Sequence, residues 1–126
     1  METIDLKNVT VSLLEEGILH IHLKPHTEIT MTDALLALEA MEKLSGGKKR
    51  PVFIDAGEFS SVDKEVREFS ASPESNIFTI ADAIAYDNIA QKLVAGFYLV
   101  QNKPTVPTKL FADKAEAMLW LKTFIK

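Results

Sequence analysis

Two short runs of β-branched and long apolar side chains, residues 9–14 and 18–24, flank Glu15, Glu16 and Gly17. Their length and spacing predict two strands joined by a hairpin turn. In the second run Leu19, Ile21 and Leu23 alternate with His20, His22 and Lys24, so a strand sends the aliphatic set to one face and the basic set to the other. From Thr30 the period changes. Ala34, Leu38, Met41 and Leu44 recur every three or four residues, as one stripe along an α-helix does, and Gly46 and Gly47 end it. The apolar residues 51–54 read as a third strand, closing on Asp55, Ala56 and Gly57.

Val62, Val66 and Phe69 mark a second, shorter helical stripe, interrupted at Ser72 and Pro73. Residues 80–86 read as a strand with Ala81, Ala83 and Ala85 on one face, a surface that admits a closely packed helix. A strongly apolar helix over 88–101, a strand over 107–111 and a closing helix over 114–125 complete the order ββαβαβαβα. Four spacings suggest helix starts: Thr30 before Asp33, Ser60 before Asp63, Asn88 before Gln91 and Asp113 before Glu116, each setting an N-cap candidate three residues ahead of a side chain able to reach back. Helices between successive strands favour parallel crossovers, while the first hairpin adds an antiparallel pair. The expectation is one α/β domain over residues 1–126 with a mixed five-stranded sheet and helices mainly on one side.

Composition narrows the function classes. The 126 residues contain no cysteine, which removes disulfides, thiolate nucleophiles and cysteine-ligated zinc and fits a cytoplasmic setting. The start METIDLKNVTV lacks the basic and apolar regions of a signal peptide, and no run approaches the roughly 18 apolar residues of a membrane span, so no membrane insertion is expected. Fourteen Lys and Arg against eighteen Asp and Glu give a formal charge of −4 with the signs interspersed, so the basic footprint of a nucleic-acid binder is missing. The chain is short for a dinucleotide-binding domain, and the Gly46-Gly47 pair lacks the spacing that receives a pyrophosphate.

Candidate chemistry is sparse. No nucleophile elbow, His-Glu-x-x-His site or phosphate loop occurs, and no catalytic residue or cofactor is expected. His20 and His22 share a strand face and His26 follows Pro25, yet a metal site needs a fixed carboxylate or further ligand that parity alone does not supply, so none is expected. Asp55 lies at the carboxyl end of an internal strand, where open α/β sheets leave a ligand crevice, and Asp87 sits similarly ahead of the 88–101 helix. They are candidates for cation binding or acid–base work, against the plainer role of forming turns.

The stretches PVFIDAGEFSSVDKEV (51–66) and KLFADKAEAMLWL (109–121) resemble the small STAS/SpoIIAA-like domains, including a group of uncharacterised bacterial STAS-like proteins, over nearly the whole chain. The second stretch is similar to that family's last strand entering a helix, with Phe111, Ala117 and Leu121 in packing roles. Familiar members are anti-sigma factor antagonists in which a serine of an Asp-Ser-Ser-Gly helix start is phosphorylated. Asp63, Lys64, Glu65 and Val66 stand there in this chain, so the resemblance implies a domain without that phosphoserine switch. Ser60 and Ser61 lie nearby, with N-capping as their expected role.

The resemblance further implies a non-catalytic regulatory or protein-interaction domain, or alternatively one that binds a small apolar ligand or lipid. A ligand or partner site would draw on Asp55, Gly57, Ser60, Ser61, Asp63, Lys64 and Asp87. Phe78, Ile80, Phe97, Tyr98 and Trp120 would either line a cavity or fill a core. The 88–101 helix has more apolar surface than one side of a sheet needs. Ile89, Leu93, Phe97 and Val100, with Tyr98 at a rim, are therefore expected to meet a second copy of the chain or another protein.

Overall fold

A computed structural model describes residues 2–125. The strands are β1 (Glu2–Asp5), β2 (Val9–Leu13), β3 (Leu19–Leu23), β4 (Glu28–Ile29), β5 (Arg50–Ala56), β6 (Ser61–Val62), β7 (Thr79–Ala85) and β8 (Thr108–Phe111). The helices are α1 (Met31–Ser45), α2 (Lys64–Ala71), α3 (Ile89–Asn102) and α4 (Lys114–Lys122). Six strands form one mixed sheet in the order β1-β2-β3-β5-β7-β8, and β4 pairs with β6 in a separate parallel pair. The β1-β2 and β2-β3 pairs are antiparallel; β3-β5, β5-β7 and β7-β8 are parallel. This is the mixed α/β sheet expected from the sequence, with one strand more than the five counted there. Glu2–Asp5 has a single apolar side chain, Ile4, so this edge strand leaves no periodic signal.

Side-chain alternation divides the sheet into two faces. On the first, Val9, Val11, Leu19 and Val52 form the main core with Ala37, Ala40, Met41 and Leu44 of α1 and Val66 of α2. On the second, Phe53, Ala83 and Phe111 pack with Ala117 and Leu121 of α4, all of them buried. Ala83 and Ala117 are both fully enclosed, so the alanine face of β7 does admit a helix at close range. Helix α4 packs on β5, β7 and β8, leaving the β1–β3 part of this face polar, with Thr3, Asp5, Thr10, Ser12, His20 and His22 in register. Three helices thus lie over the first face and one over the second.

The caps explain where the helices begin. Thr30 forms a complete capping box with Asp33, whose carboxylate also accepts from the Asn8 amide and ties the β1–β2 turn to α1. Asn88 caps α3 by accepting from the Gln91 N–H, while Gln91 reaches back to the Asp87 N–H in place of the cap's own. Asp113 caps α4 through the Ala115 N–H at 2.9 Å, not through Glu116. The Ser60 spacing is corrected: Asp63 is the N-cap of α2, accepting from the Val66 N–H at 2.9 Å. The Ser60 hydroxyl instead donates to the Gly57 carbonyl at 3.0 Å, and Ser61 lies in β6, outside the cap. The αL residue that stops α1 is Gly46, with φ 69° and an N–H bond to the Glu42 carbonyl.

Candidate functional site

Beneath α3 the first face is not filled. A partly open cavity of about 840 Å³ lies between the sheet and α1, α2 and α3. Ile21, Leu23, Ile54 and Ile84 come from the strands, Ala34, Leu38 and Met41 from α1, and Val94 and Tyr98 from α3. The polar lining includes Arg67, Ser70, Ser75, Asn76, Thr79 and Asp82 from α2, the following turn and β7, with Asp33, Asp55, Asn88 and Gln91 also bordering the space. Glu58, Phe59, Ser60 and Ser61 contribute from the loop after β5. Phe59 is 80% exposed and takes a left-handed backbone (φ 57°), its ring lying 5.4 Å from that of His26.

Asp82 is the unusual lining residue. Its carboxyl is buried in an otherwise apolar strand, and among the described residues no hydrogen bond offsets that burial, which pushes its pKa up to about 7. Tyr98 faces the same space, its phenol pushed well above the ordinary value by burial and by the Asp82 charge. The Asp82 oxygens open into the cavity, since no fully enclosed side-chain nitrogen or oxygen among the described residues lacks a partner, so a donor entering the cavity reaches them. The signal in sequence is the lone carboxylate of TIADAIA, which strand parity puts beside Ile84 on the face opposite the alanines.

On the other face, the carboxylate missing from the histidine pair is Asp55. It stands directly opposite His22 across the parallel β3-β5 pair. One Asp55 oxygen takes hydrogen bonds from His20 Nε2 at 2.9 Å and His22 Nδ1 at 2.8 Å. Burial alone would raise the Asp55 pKa, but the hydrogen bonds and charge of His20 and His22 outweigh it and hold the carboxyl below its usual value. Phe53 packs on His20 with ring centroids 5.2 Å apart.

Of the remaining expected residues, Asp55, Ser60 and Ser61 border the large cavity, Asp63 caps α2, and Asp87 is exposed ahead of α3, where Gln91 accepts from its N–H and donates to the Ala56 carbonyl beside Asp55. Gly57 is a packing position, since a Cβ there would meet the Pro25 backbone at 2.7 Å. Lys64 is exposed on the first turn of α2. Of the five aromatic and aliphatic residues expected to line a cavity or a core, only Tyr98 lines the large cavity. Phe78 is in the main core, Ile80 lies outside the lining, Phe97 points outward and Trp120 packs between Phe111 and Phe124 on the α4 side. Tyr98 also turns inward, away from the outer rim assigned to it. Ile89, Leu93, Phe97 and Val100 are each at least 60% exposed, and α3 buries no residue completely.

The sheet order, the covering helices and the register define a SpoIIAA-like α/β domain. A crystal structure of an uncharacterised protein of the DUF3478 family with a SpoIIAA-like fold, from Shewanella loihica PV-4, superposes with a TM-score of 0.59 at 16% identity, covering 90% of this chain and 91% of that one. Residues 12–125 match the profile of a domain of unknown function, DUF7793, and the chain belongs to that family. A protein of unknown function from Arthrobacter sp. FB24 aligns over 90% of this chain and 92% of its own at 22% identity, with a TM-score of 0.31. No curated protein matches the chain. Among the described residues no helix is long and apolar enough to cross a membrane.

Proposed function

We propose that this domain is a non-catalytic binding module that takes a small, largely apolar molecule into the cavity under α3. The observation that carries the reading is the cavity itself, about 840 Å³ with an unpartnered Asp82 in its lining. Protein interiors ordinarily contain few voids larger than a water molecule, and small-ligand sites span roughly 300–1,000 Å³ with few polar groups among apolar walls. Asp82 accepts hydrogen bonds when ionised, so the fitting ligand carries a donor, an ammonium or a hydroxyl, on an aliphatic body. Calorimetric titration of the full chain with octylamine, octanol and octanoate tests the match. The amine and the alcohol are expected to bind, octanoate to bind least, and Ala37→Trp, which fills the α1 wall, to abolish binding. Equal binding of all three, or binding indifferent to Ala37→Trp, speaks against the reading.

A second reading follows from the outer side of the same helix. Ile89, Leu93, Phe97 and Val100 form an apolar strip that the chain itself leaves uncovered, and a second copy of the chain would cover it in a homodimer. Sedimentation equilibrium should then show association that Leu93→Glu removes; a monomer throughout the micromolar range excludes this reading.

A further inference from the structure

We propose that His20, His22 and Asp55 form a binding site for a first-row transition-metal ion on the polar face of the sheet, Asp55 being also one of the residues that border the cavity. One nitrogen from each imidazole and one carboxylate oxygen lie within 4.8 Å of one another. The two nitrogens approach the same Asp55 oxygen at 2.9 and 2.8 Å. Metal–ligand bonds of about 2.0–2.1 Å place neighbouring donors roughly 3 Å apart, so small side-chain rotations open this cluster around an ion. Each imidazole then carries its proton on the nitrogen facing away from the metal.

The donors sit on a rigid frame. His20 and His22 are two residues apart on β3, and Asp55 is the direct partner of His22 on the adjoining parallel strand, so the backbone ladder fixes all three Cα positions. The Phe53 ring limits the swing of His20. Lys24, on the same strand face, is held by the Asp5 carboxylate at 2.7 Å and the Leu6 carbonyl at 2.6 Å, and Lys114 of α4 lies with its Nζ 5.6 Å from the Phe53 ring centroid. The side chains are 20%, 35% and 31% exposed, enough for an ion to enter and for water or an external ligand to complete its coordination. Two imidazoles and one carboxylate are a donor set for zinc, cobalt, nickel or iron; calcium and magnesium prefer oxygen alone.

The test uses the untagged full chain, stripped with a chelator and titrated with cobalt(II) while the visible absorption is followed. One equivalent is expected to bind with a dissociation constant below about 100 μM, and His22→Gln and Asp55→Asn are each expected to weaken it at least tenfold. His26→Gln, outside the cluster, is expected to keep wild-type affinity. Zinc-induced changes in the imidazole nitrogen resonances of His20 and His22 in the unmutated protein supply a readout free of any folding defect in the variants. Absence of saturable uptake, uptake unaffected by both cluster substitutions, or unchanged His20 and His22 resonances at saturation overturns the proposal.

Discussion

At the scale of single residues, Asp82 and Asp55 respond to burial with opposite outcomes. Asp82 has no donor, so its pKa rises from 3.8 to about 7 and the folded chain retains a proton that the unfolded chain gives up between those values. The unfolded state then binds fewer protons, and stability falls as pH rises through this window. Denaturant unfolding should therefore report a chain more stable near pH 5 than near pH 8 by on the order of 2–3 kcal/mol from this group, and Asp82→Asn should flatten the difference. A pH profile identical in the two proteins would remove Asp82 as its source. Asp55, with its pKa held down, has the reverse linkage: its contribution is present above its unfolded value of 3.8 and is lost as acid protonates it. The shared face of His20 and His22 was legible from alternation. Their meeting with Asp55 was not, because the register of a parallel pair 33 residues apart in sequence is set by packing of the whole sheet.

At the scale of elements, periodicity located the central strands and all four helices, since each has a face that must be buried. It missed what has little to bury: the polar edge strand β1 and the two-residue strands β4 and β6. Capping chemistry was readable by type more than by position, as Asp63 shows. Asp63→Ala should lower stability by about 1 kcal/mol in thermal or denaturant unfolding, whereas Ser60→Ala should have a smaller effect because Ser60 only braces the Gly57 carbonyl. In α3, nothing lies within 4 Å of a Cβ built on Gly96. Gly96→Ala is thus expected to stabilise the monomer by up to about 1 kcal/mol through helix propensity. If a partner helix packs closely at that position, the same substitution should weaken association, so unfolding and sedimentation measured together distinguish free surface from interface.

At the scale of the whole molecule, the sheet separates two chemistries. The first face has an apolar cavity with one buried acid, and the second has the His20–His22–Asp55 cluster beside the α4 core. Ala37 and Asp55 stand on different elements but both border the cavity, so the effects of Ala37→Trp and Asp55→Asn on stability should add to within about 0.5 kcal/mol only where the sheet keeps its faces separate. A larger coupling would show that the sheet transmits strain between its faces. The fold class was visible in the sequence because it follows from element order. The cavity was not, because the same apolar residues can fill a volume or border one. The incomplete burial of α3 has a kinetic consequence. Held by no fully enclosed side chain, it is the helix most readily lost in a local opening that leaves the sheet and α4 intact. Its amides should exchange with deuterium well before those of α4, and trypsin should cut first at Lys92, since Lys103 precedes Pro104 and a Lys–Pro bond resists trypsin. A molecule occupying the cavity would slow both processes, making the helix a timer whose rate reports occupancy.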